Sequence, residues 1–337
     1  MLLDIHDIIS VTQGAERIWQ EDGAVWFSRF TEEELEIYKA HENLIKMVRS
    51  TAGIQMEFTT DAAALFLQVT TPPERNYADY FSYDILVEDV LVGRLSNVPE
   101  DAENGDYHKA AHRVENPAGN FVLGSGIKTV RVVFPWSMNL GIKKIELKGA
   151  TFAHPVSKSK KLLIYGDSIT QGSGSIYSSK TYASMLRDFL QADTINKGVG
   201  SECYFPALAG AVPKENIDYI TVAYGINDRC NCSKEEYISN CIGFWQWICK
   251  NYPNAKKFLF TPIWYLNEAA VKPFCGHEEF LQLTRQLMEQ FPDVTVIDCT
   301  DFVSRDTADF GDLYIHPNHL GYTKYIANLQ KAMTPYL

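Results

Sequence analysis

Four short runs of almost unbroken apolar residues follow residue 160, each separated from the next by a segment with helical periodicity. They are "KLLIYG" (161–166), "YITVAYG" (219–225), "KFLFTPI" (257–263) and "VTVIDC" (294–299). A strand with one wet face alternates apolar and polar side chains, whereas a strand apolar on both faces must be covered on both. Between the runs, "KTYASMLRDFLQ" sets Tyr182, Leu186, Phe189 and Leu190 along one side, and "KEEYISNCIGFWQWICKNY" and "EEFLQLTRQLMEQF" repeat the pattern. Strand and helix in alternation predict a parallel sheet in a three-layer α/β/α domain over residues 160–337. Functional groups are then expected at the carboxyl ends of its strands.

Residues 1–155 follow a different rule. "GIQMEF" alternates Ile54, Met56 and Phe58 against polar partners, and "LFLQV", "YDILVEDVLVG", "KTVRVVFP" and "KKIELKGATF" follow between Pro-, Gly- and Asn-rich breaks. Short strands without long intervening helices predict an antiparallel, jelly-roll-like β-sandwich, with one helical interruption at "TEEELEIYKAHENLIKM". The short polar stretch "HPVSKSK" (154–160) reads as the linker. Two domains also suit a chain of 337 residues.

Charge and composition exclude several classes of partner. A formal charge of −11 without a basic stripe argues against nucleic acid, whose phosphates need clustered Lys and Arg. The first residues carry early acids and no basic start before a long apolar run, and no stretch approaches a membrane span, so a cytoplasmic protein is expected. The seven cysteines are odd in number and scattered, as reduced thiols are. Cys230 and Cys232 in "RCNC" have no second Cys/His pair at finger-like spacing, so buried thiols are expected in preference to a metal. No cofactor is expected.

The strand ends hold the chemistry. After the first run, "GDSI" places Ser168 in a turn entering a helix, where a hydroxyl can stand near backbone N–H groups able to hold an oxyanion; Asp167 and Ser168 are equally ordinary helix caps. "NKGVGS" brings Gly198 and Gly200, suited to close backbone approach or to a plain tight turn. "GIND" brings Asn227, an amide donor or a turn residue. "HPNHLGY" brings His316 and His319. These four blocks, in this order over residues 160–335, resemble the SGNH (GDSL-type) hydrolase superfamily. A β-sandwich ahead of such a domain is similar to the two-domain carbohydrate esterases of family 2.

The resemblance implies Ser168 as nucleophile and His316, followed by Pro317 and Gly321, as its base. It implies an oxyanion hole from the Ser168 N–H, a glycine-block N–H and the Asn227 side chain. Asp167 and Asp228 are read as turn-setting residues, and His319 as a solvent-facing or capping residue of the last helix. Two departures stand out. The family's oxyanion glycine commonly lies five residues after the leading Asn, which here is Ser201; Gly200, one residue short, is the assignment made. The family's triad Asp lies three before the base, which here is Leu313; Asp312, at minus four, is expected to orient His316, the alternative being a backbone carbonyl. An extra loop residue is easily absorbed.

"TPIWY" adds Trp264 and Tyr265, whose rings are either a platform for a sugar face or core. The expectation is a serine esterase that removes acetyl or other short acyl groups from O-acetylated carbohydrate, with a small-molecule or oligosaccharide substrate. Rivals using the same residues are a thioesterase, a short-chain lipid esterase and an acyltransferase. A sugar-binding protein with a decayed site conflicts with the retained Ser, Asn and His.

Overall fold

The computed structural model describes residues 1–72, 78–99, 102, 111, 114–211, 214–265 and 273–337. In the first half, a helix at Ile5–Val11 precedes β1 (Thr12–Gln13), β2 (Arg17–Glu21) and β3 (Ala24–Ser28). Then come β4 (Gln55–Thr60), β5 (Ala64–Thr70), β6 (Ser82–Val87) and β7 (Val90–Ser96). The set closes with β8 (Ala118–Val122), β9 (Lys128–Val133), β10 (Gly141–Lys148) and β11 (Ala153–Pro155). One antiparallel sheet runs β1-β4-β9-β6-β7 with β11 also on β4, and the other runs β2-β3-β10-β5-β8. Alternation decides which side faces in: Leu65, Leu67 and Val69 of β5 are buried between half-exposed neighbours. They meet Met56, Phe58, Ile85, Val130 and Val132 of the facing sheet in one core, as two packed sheets require.

The second half is the expected parallel sheet. β12 (Lys160–Gly166), β13 (Ala192–Asn196), β14 (Tyr219–Ala223), β15 (Lys256–Phe260) and β16 (Val294–Ile297) lie in the order β13-β12-β14-β15-β16, every pair parallel. Successive residues of β12 serve opposite faces. Leu162 and Ile164 pack with Leu186, Leu190, Tyr325 and Leu329 of the helices Tyr182–Leu190 and His319–Met333. Leu163 and Tyr165 pack with Tyr237, Phe244 and Trp245 of Lys234–Asn251 and with Phe280 of His277–Met288.

Three features depart from the sequence expectation. The helical interruption is two helices, Glu32–Tyr38 and Glu42–Val48, the first held by a capping box between Thr31 and Glu34. Phe30, Tyr38 and Val48 are buried in the core of the parallel-sheet half, so this pair serves the second half although it lies in the first. The linker is shorter than "HPVSKSK", because β11 pairs with β4 through Pro155 opposite Phe58 and β12 begins at Lys160. Ion pairs Arg187–Glu57 and Arg131–Asp188, and Lys197–Glu34 at 2.6 Å, tie the halves together.

Candidate active site

β12 is the point from which the chain passes first to one neighbour, β13, and then to the other, β14, the place beyond the strand ends where open α/β sheets bind ligands. Ser168 stands there, first residue of the one-turn helix Ser168–Gln171. Gly166, at the strand's end, has φ +157°, and a Cβ there would lie 2.1 Å from Thr170 Oγ1, so no larger residue fits this turn. Asp167 is the helix N-cap, its carboxylate accepting the Ile169 N–H at 3.0 Å, and burial pushes its pKa up to about 6.

The Ser168 hydroxyl lies 2.8 Å from His316 Nε2, and His316 Nδ1 lies 2.6 Å from Asp312 Oδ2. With Nδ1 protonated, that ring nitrogen donates to Asp312 and Nε2 accepts from the serine. Asp312 reaches the ring from minus four because the loop makes a full turn around its other oxygen. Oδ1 accepts the N–H groups of Tyr314, Ile315 and His316 at 3.0, 2.9 and 3.1 Å. Leu313, in the left-handed region at φ 69°, takes up the additional residue. Burial by itself would raise the Asp312 pKa; the bond to His316, its charge and the backbone N–H groups outweigh it and hold the carboxyl at about 2. The loop is pressed against the serine's own loop at Gly174 (φ +97°), where a Cβ would meet Pro317 O at 2.4 Å.

His319 is the first residue of its helix, as expected, but Asn318 is the cap. The imidazole of His319 is half-buried, edge-on to Tyr177 at 5.0 Å between ring centres, rather than solvent-facing. Burial, with Arg94 and Lys180 nearby, lowers its pKa.

The loops after β13 and β14 carry the candidate oxyanion donors. Asn196 pins its loop to the serine's helix, donating to Thr170 O at 3.0 Å and accepting the Gly198 N–H at 2.8 Å. The Gly200 N–H is committed to Gln171 Oε1 at 2.7 Å, which corrects its expected role as oxyanion donor. Ser201 is exposed, with φ 64°, and its N–H has no partner among the described residues. Asn227 donates one amide hydrogen to Glu202 O at 3.1 Å and keeps the other. Asp228 holds the two loops together, accepting the Tyr204 N–H at 2.8 Å.

Tyr265 is only 6% exposed and its hydroxyl is 3.0 Å from Arg229 Nη2, which favours the core reading over the sugar platform. Trp264 is half-buried, donates to Val303 O at 3.2 Å and lies edge-on to Phe310, the geometry of a core residue. Cys230 faces the Tyr265 hydroxyl, and the seven cysteines are free thiols. Sequence reasoning missed Arg29. Fully buried, it donates to the carbonyls of Asn196 and Gly198 at 2.9 and 2.6 Å and so turns the N–H side of that loop the other way. Burial lowers its pKa to about 10. An arginine 167 residues away leaves no local pattern to read.

Residues 164–324 match the family model described as GDSL-like lipase/acylhydrolase. Among solved structures, a salicylyl-acyltransferase, SsfX3, from a tetracycline biosynthetic pathway is similar at TM-score 0.77 and 17% identity, over 99% of this chain and 97% of that one. A family two carbohydrate esterase from Clostridium thermocellum, in complex with cellohexaose, is similar at TM-score 0.63 and 11% identity, over 96% and 98%. An acetyl xylan esterase, Est2A, from Butyrivibrio proteoclasticus is similar at 0.62 and 14%, over 99% and 98%. At these identities the likeness establishes a shared two-part architecture. No curated protein matches the chain in sequence. No helix among the described residues is long and apolar enough to cross a membrane. The parallel-sheet half, which carries Ser168, Asn227 and His316 after its strands and follows a β-sandwich, is similar over residues 164–324 to the GDSL-like lipase/acylhydrolase family.

Proposed function

We propose that the protein is a serine esterase that removes acetyl or other short acyl groups from O-acetylated carbohydrate through an acyl-enzyme. The line Ser168–His316–Asp312, with contacts of 2.8 and 2.6 Å, carries the reading. His316 Nε2 takes the hydroxyl proton as Ser168 Oγ attacks the ester carbonyl, and Asp312, held ionised by its bonds, stabilises the imidazolium that forms. The oxyanion is received by the N–H groups of Ser168 and Ser201 and the second amide hydrogen of Asn227. His316 returns the proton to the leaving sugar hydroxyl. It then takes a proton from the water that attacks the acyl-serine, and gives it to Ser168 Oγ as the acid leaves.

The carbohydrate assignment draws on the likeness to family two esterases and acetyl xylan esterase, and free thiols favour a reducing, cytoplasmic setting that admits short oligosaccharides. Transfer of the acyl group to an acceptor other than water is a second reading, favoured by the likeness to SsfX3 over nearly both full chains. Acetate release from a panel of acetylated sugars and an aryl acetate tests both. Ser168→Ala is expected to lower turnover at least about 10⁴-fold. An unchanged rate in that variant would sink the mechanism. Acetyl product on an added alcohol, formed faster than free acetate, would select transfer.

A further inference from the structure

Behind the two oxyanion loops lies a cluster the proposed reaction leaves unused. Cys203 comes from the loop after β13; Asp228 belongs to the helix Ile226–Asn231 that follows β14, and Cys232 is that helix's C-cap. One donor atom of each, two thiol sulfurs and a carboxylate oxygen, lies within 4.8 Å of the others. Asp228 is fully buried, and while Oδ1 accepts the Tyr204 N–H, Oδ2 has no hydrogen-bond partner among the described residues. An orphaned carboxylate oxygen in a buried position is costly and rare. The adjacent thiols are weak partners, and acidic groups facing one another repel when ionised. A divalent cation at their centre reverses the sign of all three interactions.

We infer that Cys203, Cys232 and Asp228 form a binding site for a thiophilic divalent metal ion of the zinc class. Two sulfurs and a carboxylate oxygen are a donor set that selects a soft, tetrahedral ion over magnesium or calcium. Around a tetrahedral zinc such donors stand roughly 3.6–3.8 Å apart. The observed separations, all within 4.8 Å, exceed that by about 1 Å at most. Cys203 and Cys232 are half-buried, so water can fill the fourth position. Cys230, the other half of the C-x-C pair, is not a ligand, because its sulfur lies 3.6 Å from the Tyr265 hydroxyl. Occupancy would staple the loop of Ser201 to the helix of Asn227, elements now joined by the Asn227–Glu202 and Asp228–Tyr204 bonds. The inference stands on these contacts and is independent of the ester-hydrolysis reading.

The test is titration of the full, reduced chain with Cd²⁺, read by thiolate-to-metal charge-transfer absorbance, then competition with Zn²⁺. The expected result is saturation at one ion per chain, displacement by Zn²⁺ and a raised melting temperature. Cys203→Ser and Cys232→Ser should each weaken binding at least about tenfold, since even supporting residues of metal sites cost that much. Cys230→Ser should leave it unchanged. Should a variant misfold, protection of Cys203 and Cys232 from iodoacetamide by Cd²⁺ in the unmodified chain gives the same answer. Absence of a saturable band, or a band lost with Cys230 and kept without Cys203, overturns the site. So does a Cys203–Cys232 disulfide in protein isolated without reductant.

Discussion

Asp312 does two tasks with its two oxygens. Oδ2 orients His316 while Oδ1 gathers three successive backbone N–H groups, so the carboxylate shapes the loop that presents the base. Asp312→Asn is therefore expected to lower kcat/KM by roughly 10²–10⁴-fold, through loss of the imidazolium's partner and the correct tautomer. A loss under about threefold in a folded variant would return the orienting role to a backbone carbonyl. Leu313 holds a left-handed conformation that costs an L-residue about 1–2 kcal/mol, and it is 48% exposed, so little apolar burial offsets the cost. Leu313→Gly should be neutral or stabilising by up to about 1 kcal/mol in denaturant melts, the gain trimmed by the greater freedom of glycine when unfolded. Destabilisation beyond about 1 kcal/mol would show that the side chain anchors the loop. Ser168, Asn227 and His316 were legible because each sits in a short block with its own local context. Asp312 was legible only as a carboxylate of the right kind at an unexpected spacing. Gly200 was misread because its N–H is claimed by Gln171, a side chain 29 residues earlier, and no periodicity reports such a pairing.

At the level of elements, the alternation of apolar strand and amphipathic helix foretold the parallel sheet because both faces of β12 are covered. The period-2 pattern foretold the sandwich because one face of each sheet is covered. The helix pair Glu32–Tyr38 and Glu42–Val48 was visible as helix, yet its destination was not, since amphipathicity says that a face is buried and never against what. Its anchor is Tyr38, whose hydroxyl donates to Glu202 at 2.6 Å, with Tyr224 donating to the other oxygen at 2.5 Å. Burial pushes the Glu202 pKa up to about 8, against the lowering effect of the two hydroxyls and Arg29. Asp167, likewise buried, is pushed up to about 6. Both shifts are upward, so between about pH 4 and pH 8 the folded chain holds protons that the unfolded chain releases. Stability then falls as pH rises through that window. Thermal melts should show a lower midpoint at about pH 8.5 than at about pH 6, with a shallower slope in Glu202→Gln. A midpoint that rises over the same range would contradict the burial of these carboxyls as neutral acids.

Across the whole molecule the two halves share one structure. Arg29, Phe30, Tyr38 and Val48 complete the packing of the second half, and Arg187–Glu57 and Arg131–Asp188 bridge it to the sandwich. Residues 156–337 expressed alone should therefore fail to melt cooperatively or to turn over an aryl acetate. Activity of that fragment within about tenfold of the full chain would mean that the first half is an accessory. This mutual dependence was not legible, because it rests on contacts between residues 57 to 169 positions apart in sequence. Arg29 also bears on how the chain is made. It leaves the ribosome early, whereas the carbonyls it clamps appear 167 and 169 residues later and His316 later still. Until then its guanidinium lacks those acceptors. A ribosome stalled midway thus releases a chain that carries the nucleophile but has no means to fire it.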